Sequence, residues 1–331
     1  MPETFAVADA VELAVVERSG FVESRHAGSA VVLSGDRQVL RSLGDPSGLI
    51  LPRSCLKPFQ AVAVMRSGVE LEGAAAVIAS ASHSGTSAHL GLVRSLLVRA
   101  GLTEAALKCP ADWPLDAASR DQAIGSGLGK RPIFMNCSGK HAAMLLACAH
   151  NGWPTDSYLE PGHPLQVQIA DVIERLAGER ITTTATDGCG APAHALSLTG
   201  LARGIQAIAT ASVSSPFALY RDAAALCEAI RGNGWALDGP GRANTVVIDR
   251  LGIIAKGGAE GVLVMAAGDG TTVAVKILDG SSRATTAVAL QLLCDAGAVD
   301  AAAVEAVKAE LPHSVLGGGA VVGTIRAAFA S

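Results

Sequence analysis

The chain reads as an α/β (α+β) protein, with an antiparallel sheet formed from both chain ends, helices on its faces and a helical insertion. Three observations predict this. The start is rich in valine runs, the middle is patterned as helices, and short apolar runs between Thr245 and Leu278 are separated by glycine-rich turns. Strands, then many helices, then strands and a helix close most simply into one sheet covered by helices. A single domain over residues 1–331 is expected, with its helix-rich part at about 55–240.

Taken in order, Val11–Val16 and Ser29–Leu33 read as strands, and Asp36 to Gln38 follow a Ser-Gly-Asp turn. From Ser54 to about Gly101 the pattern turns helical. Pro58 is tolerated only in a first turn, so the helix starts within the segment Ser54–Lys57. Ser138 is expected to cap a helix running through His141 to His150. Pro164 opens another that ends near Gly178. Gly200–Ala211 and Pro216–Arg231 are further helices. Thr245–Ile248, Gly252–Ala255, Gly261–Ala266 and Thr272–Ile277 read as strands of an antiparallel meander, and Arg283–Asp295 as a last long helix.

Composition narrows the function. Half the residues are apolar but only 3% are aromatic, so Ala, Val, Leu and Ile must fill the core. The net charge of −4, without a basic run, gives no reason to expect nucleic acid or an anionic membrane as partner. Seven cysteines without close C-x-x-C pairs fit free thiols in a reducing cytoplasm better than a disulfide framework. Met1–Ala10 has acids where a signal peptide would be basic. The apolar runs Ala74–Ala81 and Ala142–Ala149 are too short to span a bilayer.

The chemistry is carried by polar islands. Ser54-Cys-Leu-Lys57 is an S-x-x-K pair, whose spacing of one helical turn lets both side chains rise from one face. A lysine activates a serine only if burial or a second cation holds it neutral. Ser80-Ala-Ser-His-Ser-Gly85 follows an apolar run, and Lys256-Gly-Gly258 ends an expected strand. This order matches that of the S-x-x-K, S-D-N and K-T-G motifs of serine β-lactamases, with Ser82-His83-Ser84 and K-G-G departing from it. Asn136-Cys-Ser-Gly-Lys-His141 and Thr186-Asp-Gly-Cys-Gly190 lie outside that set. A helix N-terminus suits an anionic group, Asp187 an α-ammonium, and the fork of Arg242 a carboxylate. Together they describe a pocket for a small zwitterion.

The segments Pro52–Lys57, Ala81–Gly85, Asn136–His141, Thr186–Cys189 and Lys256–Gly261 resemble the class 3, asparaginase II-like L-asparaginases. The resemblance runs from about Val11 to the C-terminus. It implies a fold similar to serine β-lactamases and glutaminases, a homodimer, and hydrolysis of the side-chain amide of L-asparagine by two Ser-Lys tandems. These would be Ser54 with Lys57 and Ser82 with Lys256. It also implies a zinc ion held by Cys137, Lys140 and Cys189 with water, and places His141 and Asp187 near the substrate; Arg53 and His83 are further candidate substrate contacts. Ser84 stands where a compared family member has Asn, and Gly257 where it has Thr. On this reading Ser54 attacks, Lys57 takes its proton, and Lys256 depresses the Lys57 pKa while orienting Ser82. Ser82 as nucleophile is the alternative assignment. Competing functions are another Ser-Lys amidohydrolase, such as a glutaminase or β-lactamase-like enzyme, and a non-catalytic zinc-dependent amino-acid-binding protein. Cys55, beside Ser54, is expected to be a buried apolar residue.

Overall fold

A computed structural model describes residues 3–329. Its centre is an eight-stranded antiparallel sheet. Seven strands lie in the order Ser314–Gly317, Ala320–Ala327, Val11–Arg18, Phe21–Leu33, Thr272–Ile277, Val262–Ala266, Ile254–Gly258, and Val39–Leu43 pairs with Phe21–Leu33. Both chain ends therefore supply the sheet, as expected. The expected meander is its last three strands, in the register Lys256↔Val264 and Val275↔Leu263.

Every residue of Val262–Ala266 and Thr272–Ile277 is buried. Consecutive burial means that both faces of the sheet are covered there. The helices Leu198–Ala209 and Thr285–Asp295 pack on these strands. Beyond them, Lys57–Arg66 is the inner helix of a helical layer, touching Gly73–Ala79, Ser138–Asn151, Pro164–Ala177 and Ala218–Gly232. Its first two turns, Lys57 to Val64, are wholly buried. A short 3-10 turn, Arg53–Leu56, leads into it, so Pro58 falls in the first α-helical turn, as required.

Close packing explains one glycine of the Asn136–His141 island. A Cβ on Gly139 would lie 2.4 Å from the Ile78 carbonyl oxygen. Glycine thus lets the helix Ser138–Asn151 approach the end of Gly73–Ala79, which leads into Ser82.

Several expectations are corrected. Thr245–Ile248 is not a strand but the middle of the helix Ala243–Leu251, closed by Gly252 in the left-handed region. A four-residue apolar run carries too little periodicity to separate the two, and all four residues are buried in either form. Ser138 does not cap its helix; its hydroxyl donates to the Ile133 carbonyl at 2.8 Å. Leu198–Ala209 begins earlier than expected because Ser197 caps it, accepting from the Gly200 N–H at 2.8 Å. The helix Ala301–Glu310 and the closing hairpin Ser314–Ala327 were not read from the sequence.

Candidate active site

The polar islands converge at the free edge of the sheet. The Ser82 N–H donates to the Leu237 carbonyl at 2.8 Å, and the His83 N–H to the Asn136 carbonyl at 3.1 Å. The His83 bond ties the second island to the Asn136–His141 segment. The Cys55 thiol donates to the Lys256 carbonyl at 3.1 Å, tying the first to the edge strand. A Cβ on Gly258 would lie 2.5 Å from the Pro52 carbonyl oxygen, so glycine there permits that approach.

The centre is the Ser82 hydroxyl. Lys57 Nζ lies 2.9 Å from it and Lys256 Nζ 3.0 Å. Lys57 also donates to the Ala81 carbonyl at 2.7 Å, and Lys256 to its neighbour's, Gly257, at 2.7 Å. This departs from the expected pairing. Lys57 bonds Ser82 and makes no hydrogen bond to Ser54, its partner in sequence, so one serine is shared by both lysines. Ser54 joins Ser82 in lining a cavity of about 330 Å³ with Asn136, Asp238, Arg242 and Asn244.

Burial, reinforced by the Lys57 charge, pushes the Lys256 amine down to about 8. A like-charge effect of Lys57 on Lys256 is thus present. Burial pushes the Cys55 thiol up to about 12, so it stays protonated near neutral pH and is no competing nucleophile.

The substrate-facing residues divide. Arg242 lines the cavity, its Nε donating to Asp238 Oδ1 at 2.7 Å, while Asn244 Nδ2 donates to Asp238 Oδ2 at 2.9 Å. Asp187 does not face this cavity. Arg53 holds it through Nε and Nη2, both at 2.7 Å from Oδ1. Burial opposes the Asp187 charge, but Lys140 and Arg53 outweigh it and hold the carboxyl below its usual range. The acid in the cavity is Asp238, which the sequence reading missed. Its one signal was its place four residues before Arg242.

His83 and His141 are fully buried and stand behind the cavity wall. Ser138 spends its proton on Ile133, so it accepts at 2.9 Å from His83 Nε2–H. The Tyr158 hydroxyl accepts from the Lys108 N–H at 3.0 Å and lies in hydrogen-bond contact with His141 Nδ1 at 2.7 Å. Burial holds both imidazoles well below their ordinary pKa, hence neutral. His83 Nδ1 and His141 Nε2 have no hydrogen-bond partner among the described residues.

Cys137, Lys140 and Cys189 form a second buried cluster. Lys140 Nζ lies 3.2 Å from Cys189 Sγ. The hydrogen bond from Cys189 pulls the Cys137 thiol well below its usual range, helped by Lys57 and Lys140, and Cys189 is raised in return. Burial opposes the Lys140 charge, but Cys189, Cys137 and Asp187 outweigh it and raise the amine. Among the described residues no group of three or more His, Cys, Asp or Glu could hold a metal; the third donor here is a lysine. Two sulfurs suit zinc, and the Lys140 amine joins them only once it loses its proton.

The family model for L-asparaginase II matches residues 14–327. The chain belongs to the L-asparaginase II family. None of the curated proteins compared matches it. Among solved structures this family member is similar to Mglu in its native form, at 12% identity, covering 82% of this chain and 64% of that one with a TM-score of 0.46. It thus spans less than two thirds of the length of Mglu. It is also similar to a β-lactamase from Mycobacterium bovis, at 14% identity, covering 81% and 94% with a TM-score of 0.44. Among its described residues no helix is long and apolar enough to cross a membrane.

Proposed function

We propose that the chain hydrolyses the side-chain amide of L-asparagine to L-aspartate and ammonia through a serine-bound acyl intermediate. The observation that carries this reading is the Ser82 hydroxyl held between Lys57 and Lys256, with Ser54 in the same cavity. Membership of the L-asparaginase II family supports the reaction class.

Amide hydrolysis needs a nucleophile, a base and an acid for the leaving nitrogen. Ser54 attacks the side-chain carbonyl carbon. Its proton passes to Ser82, which gives its own to the lysine pair. A base works best when its pKa lies near the working pH, and Lys256 at about 8 meets that condition. The same relay returns a proton to the nitrogen as the C–N bond breaks. Water then releases aspartate from Ser54. Arg242 meets the α-carboxylate and Asp238 the α-ammonium, so the cavity reads both ends of the zwitterion.

Cys137, Lys140 and Cys189 would hold zinc, which would fix the Asp187–Arg53 loop and the start of the helix Ser138–Asn151 beside the cavity. The family resemblance adds a homodimer. Asparagine and glutamine differ by one methylene, a small discrimination for any pocket, so glutamine is the first competitor to test.

One observation favours a second assignment. Lys57 and Lys256 touch Ser82 and not Ser54, which makes Ser82 the alternative nucleophile. Ammonia release from asparagine by wild type and Ser54→Ala, with acyl-enzyme trapping and peptide mass mapping, tests both. We expect Ser54→Ala to lower kcat by at least ~10³-fold and the adduct to sit on Ser54. An adduct on Ser82 reverses the two serines. Binding of asparagine without turnover by wild type removes the enzyme reading.

A further inference from the structure

The helix Thr285–Asp295 begins on the cavity wall, where Ser282, Thr285 and Thr286 line the same space as Ser54 and Ser82. An α-helix starts with backbone N–H groups that have no partner inside it. A side-chain oxygen on the capping residue, or an acid in the first turn, usually satisfies or balances them. Here the cap is Ala284, which has no such oxygen, and the first turn holds no acid. The Thr285 N–H donates to the Ser282 carbonyl at 3.3 Å. The N–H groups of Thr286 and Ala287 have no acceptor among the described residues.

The Thr286 side chain is a second, independent observation. The residue is only 8% exposed, and its hydroxyl has no hydrogen-bond partner among the described residues. Thr285, one residue earlier, spends its hydroxyl on the Ser282 carbonyl at 2.9 Å. Unlike His83 Nδ1 and His141 Nε2, the Thr286 oxygen is not sealed in the core, and the residue lines the cavity. An unpartnered hydroxyl in a largely buried residue costs free energy until a ligand meets it.

Free N–H donors at the positive end of a helix dipole select an anion. Asp238 is the one acid in the cavity lining, and Arg242 already pairs with it at 2.7 Å. A carboxylate entering the cavity therefore meets a cation that is already matched and a helix start that is not.

We infer that the start of the helix Thr285–Asp295 receives the α-carboxylate of the substrate, with the Thr286 hydroxyl and the Thr286 and Ala287 N–H groups as donors and Arg242 adding its charge. This deepens the proposed amidohydrolase reading and rests on it. Thr286 is then a specificity residue, because an amide without a carboxylate gains nothing from it.

Two truncated ligands separate the ends of asparagine. Succinamate keeps the carboxylate and lacks the ammonium; 3-aminopropanamide keeps the ammonium and lacks the carboxylate. Both are measured as competitive inhibitors of aspartate formation from L-asparagine by wild type, Thr286→Val, Thr286→Ser and Thr286→Glu, with melting curves as a check on folding. Thr286→Val is expected to raise KM for asparagine and the inhibition constant of succinamate about tenfold, with a smaller change in kcat, and to move 3-aminopropanamide less than about twofold. Thr286→Ser, which keeps the hydroxyl, should recover succinamate binding. Thr286→Glu sets an anion among the same donors and should weaken succinamate about 100-fold or more while tightening 3-aminopropanamide. The inference is overturned if Thr286→Val weakens both inhibitors alike, or neither. A wild type that forms no aspartate removes the amidohydrolase reading instead. Titration calorimetry of succinamate into wild type and Thr286→Val then decides the carboxylate site alone: weaker binding to the variant keeps it, and equal binding or none overturns it.

Discussion

Lys256 and Lys140 are both fully enclosed, yet they titrate in opposite directions. Lys256 is pushed down to about 8, whereas Lys140 is raised. Burial pulls both the same way, because it disfavours the charged form. The neighbours decide the difference. Lys256 has the Lys57 charge beside it, while Lys140 has Cys189, Cys137 and Asp187. One buried lysine is thereby prepared to accept a proton near neutral pH. The other is held as the cation of a thiol cluster, and binding zinc there requires its proton to be displaced. The two lysines shift in opposite directions because of the sign of their nearest charges.

The largest test of this contrast is Lys256→Met. It is expected to lower kcat by ~10²–10⁴-fold, the usual worth of a positioned base. The pH profile gives the sharper readout. Below the Lys256 pKa the amine is protonated and accepts nothing, so wild-type kcat/KM should rise with pH and level off above about 8. Lys256→Met should lose that limb. A limb that stays in place would move the base elsewhere.

Lys140→Met and Cys189→Ser make the converse test. Metal analysis should find zinc with wild type and not with either variant, and KM should rise by roughly 10–100-fold. The limb near pH 8 should remain in both, because Lys256 is untouched. Zinc-free wild type with unchanged KM and kcat would leave the thiol cluster without a metal role.

Asp238→Asn should have the smallest effect. Removing a charged partner of the substrate ammonium should raise KM about tenfold. The Asp238 charge also favours protonated Lys256, so its loss should move the limb toward lower pH. A KM that does not move would assign the ammonium to another acid.

Much of the site was legible in the chain. Ser54, Lys57, Ser82 and Lys256 stand in short motifs, and each lines the cavity or bonds within it. Cys137, Lys140 and Cys189 likewise come together. Asp238 was missed because an acid in a Gly-Pro-Gly turn looks like any turn acid until the fold brings it to Ser82. Arg53 and Asp187 looked like separate substrate contacts, and only their 2.7 Å approach shows that they hold each other. The helix Ala243–Leu251 was misread because its apolar run is too short to show its period.

By itself the sequence determined most of the strands and helices up to Asp295, the residue types available for Ser-Lys chemistry, and the absence of a disulfide spacing. These depend on local pattern and composition, which the chain carries directly. Only the tertiary structure decided which lysine meets which serine, that Lys57 bonds Ser82 and not Ser54, and that Lys256 and Lys140 titrate apart. Those outcomes depend on distances between segments far apart in the chain and on the charge each meets once water is excluded.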